Sequence, residues 1–323
     1  MSRRTFIKLT RPRFAQLRYR HHAASSPNVF DTDTEIFQTA AQNKFTAEVT
    51  RNWSVGDAPN GGYLMAVAIS AARKVINFRD PLTMTAYYTN KALEGQPVDI
   101  EVETLNATKG TATVSVSFKQ GGSLRSQYIG TFGTLSSMKG LNYSDNRAAP
   151  VLPPPEDCVD CSAQLRKHMG DNLQVAKRVE FRCPESDPFV QGTLLGKPVQ
   201  EASLSCWVRF ADDREPCLRS MAFFLDALPP PILALAKSNW VPTLEYTVHF
   251  WQRVNTTKRG LPVSDSHHHH KQHAHEHPYW LRCKYTTPFA INGMLYTDAE
   301  LWSEDGSALL ATARQIARVL TPR

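Results

Sequence analysis

Apolar and polar residues alternate in two long stretches of the chain, and each stretch contains one strongly apolar segment. In the first stretch, residues 63–75 are apolar on nearly every side of a helix, which predicts a buried helix. Alternation at every second residue then predicts four strands, at residues 82–89, 98–105, 111–118 and 126–135. The first stretch is therefore predicted to be one helix followed by an antiparallel meander.

The second stretch repeats this order. Residues 218–236 form an apolar helix region, and alternation predicts strands at residues 179–181, 202–210, 243–253, 280–287, 295–302 and 309–320. We interpret the chain as two copies of one unit of the α+β class, in which an antiparallel sheet wraps around a helix. The predicted units span residues 31–136 and 175–323, with a proline-rich linker at 137–174.

Charge changes this picture mainly at the N-terminus. The chain has 37 basic and 30 acidic residues, and seven of the basic residues lie in the first thirty positions, where no acidic residue occurs. The rest of the chain is electrostatically balanced, which argues against nucleic acid as a partner. The longest apolar or small-residue run, at about 63–72, is shorter than the roughly 18 to 20 residues of a membrane span, so none is expected.

The basic segment at residues 1–30 has the composition of a mitochondrial presequence, since it mixes arginines with apolar residues and lacks acids. We predict a mitochondrial location. The alternative is a disordered basic tail on a cytoplasmic protein, which Pro12 favours because it interrupts a helix.

Cysteine and histidine residues suggest no metal site. The six cysteines are too sparse for a disulfide scaffold, and Cys158 and Cys161 form a CxxC without a second pair. A histidine-rich loop at 267–277 could bind a transition metal, but it lacks a fixed framework of carboxylates or thiols, so we interpret it as a polar loop. Sequence signatures of serine hydrolases, zinc proteases and nucleotide-binding folds are absent.

Several short motifs resemble one known family. They are Asn60-Gly61-Gly62-Tyr63, Ala86-Tyr87-Tyr88 and Val102-Glu103-Thr104-Leu105 in the first half, and Val179-Glu180-Phe181, Phe224-Leu225-Asp226, Trp302 with Asp305-Gly306, and Leu310-Ala311-Thr312-Ala313-Arg314-Gln315 in the second. Over residues 40–136 and 175–321, the chain resembles the acyl-CoA thioesterases of the thioesterase II type, which have a double hotdog fold. The resemblance implies hydrolysis of an acyl-CoA substrate without a cofactor.

The resemblance also implies the site residues. In that family an aspartate, a threonine and a glutamine hold the attacking water, and these map onto Asp226, Thr243 and Gln315. A thioester needs a positioned, partly deprotonated water and donors for the oxyanion, and it does not need a covalent nucleophile. Gly61 and Gly62, next to Asn60 at the start of the first helix, are expected to supply oxyanion or substrate contacts.

Each assignment has a structural alternative. Asp226 is the only charge between Met221 and Ala236, but it could instead cap a helix that begins near Pro229. Thr243 could simply start a strand. Gln315 is unusual on an apolar strand face, and the glycine pair could merely permit a tight turn.

Other functions stay open at this point. The first is a non-catalytic protein that binds acyl groups or acyl-CoA. A dehydratase is disfavoured because no histidine occurs between His22 and His168, and the hypothesis of an RNA-associated protein rests only on the basic segment.

We expect one polar site per chain, formed by the second unit and covered by the first, and association of two or more chains through sheet edges.

The presequence interpretation makes a direct prediction. A fluorescent reporter that carries residues 1–30 should enter mitochondria, and the same reporter without them should remain cytosolic. Microscopy and fractionation would measure both. Cytosolic signal from both reporters would contradict the prediction.

Overall fold

The computed structural model describes residues 28–145, 147–236, 240–254 and 279–320. Most of the basic N-terminal segment and the whole histidine-rich loop lie outside these residues. The predictions made for those two segments therefore stay predictions.

The first unit has one long helix and a meander, as the alternation predicts. Its elements are α1 (Val29–Asp33), β1 (Phe37–Gln38), β2 (Lys44–Glu48), β3 (Ser54–Val55), β4 (Ala58–Pro59), α2 (Gly61–Val75), β5 (Asp80–Tyr88), β6 (Pro97–Ala107), β7 (Ala112–Gln120) and β8 (Ser123–Gly133). Asn60 caps α2, because its side chain accepts a hydrogen bond from the Tyr63 amide at 2.9 Å. The helix ends at Val75, where the next residue is extended.

The second unit repeats the arrangement with a shorter helix. Its elements are β9 (Val159–Asp160), α3 (Cys161–Met169), β10 (Val179–Cys183), β11 (Ala202–Phe210), α4 (Leu218–Ala227), β12 (Thr243–Phe250), β13 (Leu281–Thr287), β14 (Ala290–Ile291), β15 (Met294–Trp302) and β16 (Leu309–Arg318). Short 3-10 turns lie between them, including Pro231–Ala234 after α4.

The strands of both units join into one antiparallel sheet. In the described part of the chain its order is β1-β2-β6-β7-β8-β5-β12-β16-β15-β13-β11-β10-β9, and β14 pairs with β15. The two units meet where β5 pairs with β12, with Thr85 opposite Thr247. The edge that each unit would expose at this point is thereby covered. This is the double hotdog fold that the family resemblance implies.

Helices α2 and α4 contact each other, and each packs against strands of its own unit. Helix α2 can approach the sheet and α4 closely because four of its buried residues are alanines: Ala66, Ala68, Ala71 and Ala72. Aromatic side chains from both units complete the core. Phe30 and Trp53 of the first unit pack on Phe223 of the second, with Trp53 edge-on at 4.9 Å between ring centroids.

Three predicted boundaries need correction. The segment 137–174 is not only a linker, because α3 packs on strand β10 of the second unit: Ser162 accepts a hydrogen bond from the Phe181 amide at 2.7 Å. The apolar helix region ends at Ala227 instead of continuing to 236, because Pro229 and its neighbours cannot extend a helix. Phe30 is fully buried, so the core begins inside the predicted N-terminal segment.

In the described ranges, every helix falls short of the length and apolarity that a membrane crossing requires.

The aromatic contact between the units predicts a large loss on truncation. Changing Phe223 to Ala leaves a cavity among rings from both units, and we expect the free energy of unfolding to fall by about 3 to 5 kcal/mol. Denaturant unfolding followed by circular dichroism would measure it. Phe289→Ala, at a half-exposed position, serves as the control, and equal losses for the two variants would contradict the role of this cluster.

Candidate active site

The C-terminal turn of α4 meets the first turn of α2, and Asn60 connects them. Its side-chain amide donates to the carboxylate oxygen Oδ2 of Asp226 at 2.9 Å and to the Asp226 main-chain carbonyl at 2.8 Å. The Asn60 carbonyl oxygen accepts from Tyr63, as described above, so every polar group of this side chain is used. One residue therefore caps the start of α2 and fixes the end of α4.

Gly62 permits the close approach of the two helices. Its amide donates to Asp226 Oδ2 at 2.8 Å. A Cβ atom at this position would lie 2.6 Å from the main-chain oxygen of Ala222 and 2.9 Å from the Asp226 Cβ. Because the first of these is a helix backbone atom, any larger residue would push α4 away. The requirement for glycine here is therefore steric, and does not come from an unusual turn.

The carboxylate of Asp226 is held in an environment that disfavours its charge. Burial raises its pKa to about 7, while the hydrogen bonds from Gly62 and Asn60 and the nearby Gly61 amide oppose that rise. The N-terminus of α2 also favours a negative charge at this point. The hydrogen bonds from Asn60 and from the Gly62 amide both reach Oδ2, and the side chain lines a cavity. One oxygen is thus fixed and the other is available.

Thr243 and Gln315 form the second polar pair. The Thr243 hydroxyl donates to Gln315 Oε1 at 3.0 Å. Gln315 lies on the inner face of β16 between Ala313 and Ala317 and is only 7% exposed, as predicted from its position in the strand. With its oxygen occupied by Thr243, the amide nitrogen of Gln315 is left as a donor.

One cavity of about 920 Å³ brings these residues together. Asn60, Gly61, Asp226, Thr243 and Gln315 all line it. Much of the remaining wall is apolar and comes from the second unit, including Leu165, Leu173, Val175, Val179, Phe181, Phe189 and Leu233. A different part of the wall, from the first unit, is polar and basic: Thr89, Asn90, Lys91 and Arg125. The cavity therefore has an apolar side and a cationic side, with the carboxylate in its wall.

The predicted site residues lie around one cavity, but Asn60 and Gly62 make contacts that differ from the expected ones. The amides of Gly62 and Asn60 are bonded to Asp226, so they position the carboxylate and do not face a substrate carbonyl. Asp226 does not cap a helix at Pro229, since it lies in the last turn of α4 and contacts the start of α2. The site is also shared by both units instead of being formed by the second and covered by the first.

The opposite ends of the two helices meet in a second junction without a carboxylate like Asp226. Counting from the capping residues Asn60 and Cys217, Arg219 takes the place of Gly62, and Ile69 takes the place of Asp226. The Arg219 guanidinium lies in this junction, beside a second cavity, and donates to Ser70 at 2.9 Å and to Asp31 at 2.8 Å. Of these two helix junctions, the one at Gly62 therefore has a buried carboxylate against the first turn of a helix, whereas the other has an arginine.

Sequence reasoning missed several cavity residues, namely Tyr88, Lys91 and Arg125. For Tyr88 a signal exists, because Met84 and Ala86 are buried and alternation puts Tyr88 on the same face at the end of β5. Lys91 lies in a loop, where periodicity gives no direction, and Arg125 lies at the start of β8, just before the predicted strand at 126–135.

Comparison with known proteins agrees with the fold. A family model for the acyl-CoA thioesterase C-terminal domain matches residues 155–319, and one for the acyl-CoA thioesterase N-terminal domain matches residues 49–133. The first match begins before α3, which supports placing that helix in the second unit. A search of curated protein sequences gives no match.

Solved structures show the same architecture at low sequence identity. A candidate thioesterase II from Thermobifida fusca YX is 23% identical, with a TM-score of 0.73, over 92% of this chain and 99% of that one. A hot dog fold protein from Alicyclobacillus acidocaldarius is 19% identical, with a TM-score of 0.72, over 92% and 100%. An acyl-CoA thioesterase II from Mycobacterium marinum is 16% identical, with a TM-score of 0.65, over 91% and 98%.

The raised pKa of Asp226 predicts a pH-dependent stability. An unfolded aspartate ionises near pH 3.9, so from about pH 4 to 7 the folded protein retains a proton that the unfolded chain has lost. The stability that this protonated carboxyl group contributes to the folded protein is therefore fully present below about pH 4 and is lost as the pH rises through about 7. Asp226→Asn removes the effect, and at pH 8 it should be more stable than the wild type by roughly 2 to 4 kcal/mol, since one pKa unit is 1.36 kcal/mol.

Denaturant unfolding at pH 4 and pH 8 tests this prediction. The advantage of the Asn variant should be close to zero at pH 4, where the carboxyl group of Asp226 is protonated in the folded protein and about half protonated in the unfolded chain. Asp99→Asn, at an exposed position, is the control. A difference between Asp226→Asn and wild type that is the same at both pH values would show that the pKa of Asp226 is not raised.

Proposed function

The chain belongs to the acyl-CoA thioesterase family and is a thioester hydrolase, and we propose that a water activated by Asp226 attacks the thioester carbonyl of a fatty acyl-CoA. The observation that carries this mechanism is a carboxylate with one fixed oxygen and one available oxygen, in the wall of a cavity that an acyl chain could fill. A base works best when its pKa lies near the working pH. The pKa of Asp226, raised to about 7, meets that condition.

The attacking water would lie between Asp226 and Gln315. The free oxygen Oδ1 of Asp226 accepts a proton from it, and the amide nitrogen of Gln315 donates a hydrogen bond to its oxygen. Thr243 acts through Gln315, because its hydroxyl fixes the orientation of that amide. The three side chains thereby position one water molecule, as the family resemblance implies.

The start of α2 favours the charge that develops in the reaction. Attack on the carbonyl carbon puts negative charge on the carbonyl oxygen, and the positive end of a helix dipole stabilises such a charge. Gly61 and Gly62 are the first two residues of α2. Since the Gly62 and Gly61 amides both interact with Asp226, this turn would contribute to oxyanion stabilisation through its helix dipole.

The two sides of the cavity suggest how an acyl-CoA would bind. The apolar wall of the second unit fits an acyl chain, because burial of methylene groups is favourable by about 0.8 kcal/mol each. Arg125 lies on the other side, together with Lys91 and its ion-pair partner Asp57, and the guanidinium of Arg125 suits the phosphates of CoA. We place the acyl chain against the second unit and the CoA moiety along the first. A mitochondrial location and self-association remain proposals that rest on the sequence.

Three substitutions test the mechanism. Asp226→Asn keeps the size of the side chain and removes the base, so turnover should fall by about 100-fold to 10,000-fold. Thr243→Val and Gln315→Ala should cause smaller losses, because they misplace the water. These losses should add poorly with that of Asp226→Asn, since all three residues act on one water.

The assay is thiol release from short-, medium- and long-chain saturated acyl-CoA, with thermal unfolding to confirm that each variant is folded. Asp99→Asn should keep wild-type turnover. Undiminished turnover in folded Asp226→Asn would show that this carboxylate only joins the helices. A wild-type protein that binds acyl-CoA without releasing thiol would instead favour the non-catalytic alternative.

A further inference from the structure

The hydroxyl group of Tyr88 is buried and has no hydrogen-bond partner in the described part of the chain. Four other tyrosine hydroxyls in the core are paired: Tyr63 with Asp33, Tyr128 with Ser126, Tyr246 with Ala222 and Tyr285 with Phe224, at 2.7 to 2.9 Å. An unpaired buried hydroxyl destabilises a protein, because its hydrogen bonds to water are lost and not replaced. The position of this one therefore needs an explanation.

Tyr88 lies beside the proposed reaction centre. It is the last residue of β5 and lines the same cavity as Asp226. A Cβ atom on Gly61 would lie 2.6 Å from the Tyr88 hydroxyl oxygen, just as one on Gly62 would lie 2.9 Å from the Asp226 Cβ. The phenol and the carboxylate thus contact consecutive residues of the first turn of α2. A group bound at this turn could reach both.

Tyr88 keeps its proton at any working pH. Burial raises the pKa of its hydroxyl well above the usual value, and the nearby Tyr128 and Asp226 add to that rise. A protonated phenol can donate a hydrogen bond to an oxygen that gains negative charge. Its ring is held edge-on against Tyr128, at 6.4 Å between centroids, so the donor is positioned before substrate arrives.

We propose that the Tyr88 hydroxyl is the side-chain donor that binds the thioester carbonyl oxygen and stabilises the oxyanion. This inference rests on the proposed function. When water attacks the carbonyl carbon, its proton passes to Asp226 and the C=O π electrons move to the oxygen, which accepts the Tyr88 hydrogen bond. When the C=O bond re-forms, the C–S bond breaks, and the CoA sulfur leaves as a thiolate that takes the proton from Asp226. The products are the carboxylic acid and the free thiol.

The unpaired hydroxyl is the feature that the proposal explains. A phenylalanine would pack against Tyr128 in the same way and would not bury a polar group without a partner. If Tyr88 served only to fill space, removal of its oxygen would leave the reaction unchanged. The oxygen matters only when a ligand supplies the missing acceptor.

Tyr88→Phe is the test, because it removes that oxygen alone. We expect kcat for acyl-CoA hydrolysis to fall by roughly 100-fold to 1,000-fold, as for loss of one oxyanion donor, while KM stays within a few-fold. The midpoint of thermal unfolding should be unchanged or higher. Tyr87→Phe, the neighbouring residue on the exposed face, should retain wild-type kcat. Tyr128→Phe, which loses a paired hydroxyl, should have a lower midpoint.

The outcomes separate this inference from the proposed function. If wild type is active and Asp226→Asn is not, but Tyr88→Phe has normal kcat, the role of Tyr88 is overturned and the proposed function stands. A rise in KM with unchanged kcat would also overturn it, because the hydroxyl would then bind only the ground state. So would a fall in the Tyr88→Phe midpoint like that of Tyr128→Phe. A wild-type protein without thioesterase activity would overturn both.

Discussion

The contact between Asp226 and the first turn of α2 determines both how the two units join and where chemistry can occur. The carboxylate reaches α2 only because Gly62 has no side chain, and it stays there because Asn60 and the Gly62 amide bind one of its oxygens. The same contact aligns the negative end of α4 with the positive end of α2. If the helices moved apart, the molecule would lose part of its core and the site would lose its base.

This contact has a cost that the function explains. Two hydrogen bonds and a helix terminus would normally lower the pKa of a carboxyl group, yet burial outweighs them and raises it to about 7. A fully hydrated aspartate would be a weak base, and a carboxyl group without donors would remain protonated. The opposing effects leave a group that can accept a proton from water and return it to a leaving thiolate. Tyr88 illustrates the same balance, since a hydroxyl that lacks a partner in the free protein is available to a ligand.

Much of the fold follows from local sequence, whereas the contacts of the site do not. Strand β11 was predicted to the residue, and the inward position of Gln315 followed from the alternation of β16. Helix α3 was missed because its apolar face is short and prolines precede it. The partners of Asp226 lie more than 160 positions away in sequence, and no periodicity relates them. A lone carboxylate in an apolar helix indicates that a partner exists, but only the packing of α2 on α4 identifies it.

The two helix junctions show why a duplicated fold can hold one site. At the junction that contains Asp226, the second residue of helix α2 is Gly62. The space that a side chain would occupy there is taken by α4 and Asp226. At the other junction this position is Arg219, whose guanidinium donates hydrogen bonds to Asp31 and Ser70 and so joins the two units. One junction thus binds the units through an ion pair, while the other has a carboxylate with a free oxygen beside a cavity. Because both units are in one chain, each junction can carry a different sequence, and stability and chemistry need not be served by the same contact.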